Sequence, residues 1–174
     1  MKWFGPFLVM CFLLACSCWI VTAQAANELP AVNLNATDAG PRQIEETTER
    51  ALQRDYAHAW GSMEAALADN RADILEIDFV GVALDELKDR VADQQKSGLR
   101  TRYIDHGHQL QAIFYSPEGS AVQLRDTAQL EVQYLDGDKI VRSEPRTENY
   151  TVVMTAGENR WKVRVLQEVA AQPE

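Results

Sequence analysis

The chain has 174 residues, with 17 Lys+Arg against 26 Asp+Glu and a formal net charge of −9. That length suits one domain, and the negative field argues against nucleic acid or an anionic membrane surface as partner. The cysteines Cys11, Cys16 and Cys18 all precede residue 26, so the rest of the chain forms no disulfide and offers no thiolate to a metal or a substrate.

Residues 1–25 read as a signal peptide. Lys2 supplies the positive start, 7–21 (FLVMCFLLACSCWIV) the apolar run, and Ala23-Gln24-Ala25 a signal-peptidase pattern. Cleavage after Ala25 sends the domain to a secreted or periplasmic location. It removes the one charged side chain of that segment and leaves a net charge of −10. Two alternatives stay open. Leu13-Leu14-Ala15-Cys16 resembles a lipobox, which would make a lipoprotein anchored at Cys16, and an uncleaved run would act as an anchor.

Residues 26–41 are rich in Asn, Pro, Ala and Gly without periodicity and read as a flexible linker. It contains the glycosylation sequon Asn35-Ala36-Thr37, and Asn149-Tyr150-Thr151 is another; both matter only in a eukaryote. Ile44, Ala51, Leu52, Tyr56, Ala59, Trp60, Met63 and Leu67 recur at spacings of three and four and predict an amphipathic helix over 42–69. A short helical turn over 72–77 follows. A second helix opens at Asp85, with Leu84, Leu87, Val91 and Gln94/Gln95 on its inner side and Gly98 as its C-cap.

After Gly98 the period becomes two. Strands are predicted over 102–115, 121–134, 141–155 and 160–168. They are separated by Ser116-Pro117-Glu118-Gly119, Leu135-Asp136-Gly137-Asp138 and Ala156-Gly157-Glu158-Asn159, all with turn chemistry. Residues 170–174 form a C-terminal tail. Helices followed by a meander give an α+β domain over 42–169: N-terminal helices packed on a curved four-stranded antiparallel sheet. Strands this long must twist and curl, and a helix laid across the hollow makes a cone with a pocket.

Several short motifs in this order resemble the NTF2-like superfamily, including its SnoaL-like, Tim44-like and ARC-type members. They are Trp60 and Leu67 in the first helix, Leu84-Asp85-Glu86-Leu87 opening the second and Gly119-Ser120-Ala121-Val122 entering the second strand. Tyr134-x-Asp136, Tyr150-Thr151-Val152 and Arg160-Trp161-Lys162-Val163 continue the series. The resemblance implies a cone-shaped, NTF2-like/cystatin-like fold. It implies no obligatory catalytic motif, because the superfamily holds isomerases, dehydratases, transport factors and domains that only bind or dimerise.

Parity supplies the candidate chemistry. On the second strand Val122, Leu124, Asp126, Ala128, Leu130, Val132 and Tyr134 share a face. On the first, Ile104, His106, His108, Leu110, Ala112 and Phe114 share one. Matching registers would bring His106, His108 and Asp126 together at the mouth of the cone, where a carboxylate would orient an imidazole for acid/base work. The opposing expectation is that a bulge flips parity and turns these groups outward. Tyr56, Trp60, Met63, Phe114 and Tyr134 are the candidate pocket lining. His-x-His lacks the further ligands of a metal site, so neither metal nor cofactor is expected. The expected function is an exported, non-catalytic domain binding a small apolar ligand or a protein partner, with a homodimer through the exposed sheet face as an option. The alternatives are a SnoaL-like enzyme using the His/Asp set and an envelope-assembly module. Membrane attachment is expected only through Cys16 or an uncleaved signal.

Overall fold

The computed structural model describes residues 29–169. The segment 1–25 expected to direct export, with its three cysteines, the expected cleavage after Ala25 and the tail 170–174 lie outside the described residues.

The first helix, α1 (Glu46–Asp69), buries Leu52, Tyr56, Ala59, Trp60, Met63, Ala66 and Leu67, the stripe expected from the spacing. Glu46 and Glu49 occupy its first turn, where carboxylates complement the helix dipole. It starts four residues later than the periodicity suggests. The preceding segment is held otherwise: the Arg42 guanidinium donates to Glu45 at 2.5 Å and stacks over the Tyr115 ring at 5.3 Å. At its far end Asn70 takes the left-handed conformation (φ 54) and caps back to Ala66. A 3₁₀ turn (Asp73–Ile77) leads to α2 (Val82–Ser97). This helix begins at Val82 rather than Asp85, because Gly81 at φ 60 turns the chain one step earlier, and it ends on Gly98 at φ 76 as expected.

The described residues form one six-stranded sheet, where the sequence pattern alone gives four strands. Its long members are β3 (Leu99–Tyr115), β4 (Ala121–Asp136) and β5 (Lys139–Ala156), followed by the shorter β6 (Trp161–Glu168), all antiparallel neighbours. The additional strands are β1 (Val32–Asn35) and β2 (Gly40–Pro41), which pair parallel to β3 with Val32 beside His108 and Gly40 beside Phe114. Part of the segment expected to be a flexible linker is therefore a sheet edge. Val32 and Leu34 pack on the core, and the His108 amide donates to Ala31 O at 2.8 Å.

Register shifts bend the sheet. They fall between Asp105 and Gly107 and between Ala112 and Phe114 on β3, and again where β4 meets β5 and β5 meets β6. Each bulge adds local twist and re-aims the side chains beyond it. The helices lie across the hollow. Polar anchors tie α1 and the segment before α2 to the start of β6: Asp55 accepts from the Trp161 amide at 2.8 Å, and Asp78 accepts from Arg160 at 2.7 Å. Only residues 150–156 of β5 pair with β6, so among the described residues 139–148 of β5 have one open edge, on which Pro145 lies.

Candidate functional site

Two places between the helices and the sheet carry chemistry. The inner one is built where α1 meets the bulge of β3. At the bulge Gly107 has φ 125, a conformation only glycine adopts readily. The extra residue is His106, which points outward and is exposed. Parity flips there, so Asp105 and His108, rather than His106 and His108, face the core. The same flip leaves Ile104 on the outside, and the second bulge does so for Phe114, which is 41% exposed. His106 and Phe114 are thus removed from the candidate set by the device that curves the sheet.

His108 and Asp126 do converge. His108 is fully buried, and its Nδ1 lies 2.7 Å from Asp126 Oδ2 while its Nε2 lies 2.6 Å from Asp105 Oδ2. Tyr56 donates its hydroxyl to the same Asp126 oxygen at 2.8 Å, and the Gly107 amide donates to Asp105 Oδ1 at 2.6 Å. A neutral imidazole has one donor and one acceptor nitrogen, and an acceptor cannot face an ionised carboxylate. Two carboxylates on one ring therefore describe an imidazolium. Burial disfavours that charge, but the hydrogen bonds and charges of Asp105 and Asp126 outweigh burial and raise the His108 pKa to about 9. Trp60 adds its ring face, with centroids 4.3 Å apart, and the Tyr56 ring approaches at 5.5 Å. Burial, and then the charge of Asp126, keep the Tyr56 phenol well above its ordinary range.

Glu64, one helical turn beyond Trp60, extends this cluster. Burial, and then the charge of Asp105, push its pKa up to about 7, against a smaller opposite pull from His108. Its Oε1 has no hydrogen-bond partner and neither has Asp126 Oδ1, both being buried. Asp105 and Glu64 were absent from the candidate set, although Gly107 inside a strand pattern was a legible signal of the bulge that recruits Asp105. Among the described residues, no group of three or more His, Cys, Asp and Glu side chains is placed to hold a metal ion.

The outer place is a cavity of about 290 Å³ between the helices and the sheet. Met63 of α1, Leu87 and Arg90 of α2, Tyr103 of β3, Tyr134 of β4 and Tyr150 of β5 form its main walls, and neither His108 nor Asp126 reaches it. Two of the expected lining residues, Met63 and Tyr134, are here, while Tyr56 and Trp60 are core side chains packed around His108. The wall mixes apolar, phenolic and charged groups. Arg146 donates to Tyr134 at 3.1 Å and to the buried Glu148 at 3.3 Å, and Tyr150 donates to the other oxygen of Glu148. Burial, followed by that bond, keeps the Tyr150 phenol protonated well above its usual range. The convex face of the sheet is a polar ladder, with Thr127 bonded to Asn149 at 2.9 Å and Thr147 to Gln129 at 3.0 Å. Among the described residues, no helix is long and apolar enough to cross a membrane.

No protein-family model matches the sequence, and no curated protein matches it. Solved structures do. The intermembrane space region of the chloroplast protein ARC6 superposes with a TM-score of 0.59 at 20% identity, covering 75% of this chain and 100% of that one. ActVI-ORFA from Streptomyces coelicolor gives 0.47 at 11% identity, covering 71% and 99%. Aln2 from a Streptomyces species gives 0.46 at 11% identity, covering 73% and 94%. The superposition spans the full length of the ARC6 region, and the fold the two have in common is NTF2-like.

Proposed function

We propose that this chain is a non-catalytic binding domain that works outside the cytosol and takes a small ligand in the cavity between its helices and its sheet. The observation that carries the reading is the closure of the inner cluster. Both ring nitrogens of His108 face carboxylates within 2.7 Å, and the side chain has no exposed surface. A general base needs a free nitrogen within hydrogen-bond reach of the proton it takes, and this one has none. The network is better suited to fixing α1 on β3 than to touching a substrate.

The cavity differs on each count. It is open, it lies at the small end of the usual volume range for ligand sites, and its walls combine apolar surface with hydroxyl and guanidinium donors. The wall chemistry favours a polar or amphipathic ligand over a purely apolar one. The leader at 1–25 supports an exported location. The ARC6 region named for an intermembrane space is compatible with it, as a likeness of fold.

A heteronuclear NMR screen against a library of small fragments tests the reading. Binding fragments are expected to move the amides of Thr101, Tyr103, Tyr150 and Gln167, which surround the cavity. Shifts that gather elsewhere, or turnover of any compound that disappears with His108→Gln, would overturn it.

A further inference from the structure

The cavity wall carries charges that the protein leaves unpaired. Arg90 reaches in from α2 and gives one donor to the Tyr103 hydroxyl at 2.7 Å. Among the described residues it has no carboxylate at ion-pair distance. Glu86, one turn earlier on α2, and Glu168 at the end of β6 line the same cavity and likewise have no cationic partner there. Glu86 and Arg90 have the i, i+4 spacing at which opposite charges on a helix normally meet, yet Arg90 turns to Tyr103 instead. The other charges of the wall are internally compensated, Arg146 by Glu144 and Glu148, and Glu148 by Arg146 and Tyr150.

One small cavity thus presents a spare guanidinium and spare carboxylates, with Met63, Leu87 and three tyrosine rings between them. The complement of that surface is a small molecule with both charges and an apolar side group. We propose that the cavity binds a free amino acid with an aromatic or branched aliphatic side chain. Arg90 takes the carboxylate, Glu86 and Glu168 take the ammonium, and the apolar walls take the side group. A guanidinium holds a carboxylate through paired, charge-assisted hydrogen bonds, and a phenol ring face favours a neighbouring ammonium. The volume of about 290 Å³ limits the ligand to a single residue or one of similar size. The inference rests on the cavity being the binding site proposed above.

The test uses the purified protein and three probes that share a side group: phenylalanine, N-acetylphenylalanine, which lacks the cation, and phenylalaninamide, which lacks the carboxylate. NMR titration is expected to show phenylalanine bound at the cavity amides at least about tenfold more tightly than either derivative. Arg90→Gln is expected to abolish its advantage over the amide, and Glu86→Gln to reduce its advantage over the N-acetyl compound. Arg90→Lys keeps the charge if the glutamine variant is destabilised. Equal affinity for the three probes at the cavity overturns the zwitterion inference and leaves the binding reading standing. Binding of other fragments there, with none of the three, does the same. A cavity that no small molecule perturbs overturns both.

Discussion

Substituting His108 gives the sharpest test of the inner cluster. The shift from 6.5 to about 9 corresponds to about 3 kcal/mol of preference for the charged ring in the folded state. A histidine whose folded pKa is raised contributes its full stabilisation below the unfolded value, and loses it as pH rises through the folded value. The window therefore runs from about pH 6.5 to about pH 9, and about 2 kcal/mol of stability should disappear between about pH 7 and pH 9.5. Glu64 acts at lower pH, through about 7, and the raised tyrosines act above the window. His108→Gln leaves Asp105 and Asp126 buried without their shared cation, so at neutral pH it should cost about 3 kcal/mol or more. Urea melts from about pH 6 to pH 9.5, followed by tryptophan fluorescence, should show the gap between wild type and variant closing as pH rises. Nitrogen-15 shifts of the wild-type imidazole should titrate well above the ordinary value even if the variant does not fold. An imidazole midpoint at or below about 6.5, or a gap that stays constant with pH, would refute the imidazolium assignment.

Three further substitutions probe the surroundings. Glu64→Gln removes a partly buried carboxylate whose ionisation the fold opposes. A carboxyl with a raised folded pKa loses stabilisation as pH rises through it, so the variant should match wild type near pH 5 and exceed it by about 1 kcal/mol above pH 8. Gly107→Ala places a Cβ 3.2 Å from Ala31 O at φ +125. It should cost about 1–3 kcal/mol, and hydrogen exchange should quicken along β1 first. Asp55→Ala removes the acceptor of the buried Trp161 amide. A loss of about 1–3 kcal/mol is expected in denaturant melts, with a red shift of tryptophan emission as the start of β6 loosens.

Much of the fold was legible because its signals are local. The helix stripe from Leu52 to Leu67, the Gly98 cap and the turns at Gly119 and Gly137 each follow from spacing or backbone preference. β1 escaped notice because Val32 and Leu34 alternate for too few residues amid Asn, Pro and Gly, and their partner strand is over 70 residues away. The meeting of His108 with Asp126 was legible from parity on two neighbouring strands. Their third partner was not, because a period of two carried straight through the bulge assigns Asp105 to the solvent and His106 to the core. The cavity is less legible still. Arg90 and Glu86 come from α2, Tyr103 from β3 and Tyr150 from β5, elements far apart in the chain that meet around one space only in the folded domain.

The open edge of β5 sets how this domain behaves among copies of itself. Among the described residues, ten of β5 are paired on one side only, and such an edge is a template on which another chain can add and begin a fibril. The Asn149 carbonyl points to the edge side, where it accepts from the Val169 amide at 2.7 Å. Backbone groups alternate along a strand, so residues 147, 145 and 143 turn the same way. Pro145 therefore puts its missing donor on the open side, in the middle of the row where an incoming strand would seek it. Arg142, Glu144 and Arg146, paired to one another beside it, add charges that a stacked sheet would have to strip of water. The strand can thus extend beyond its neighbour and wall a cavity while resisting self-assembly.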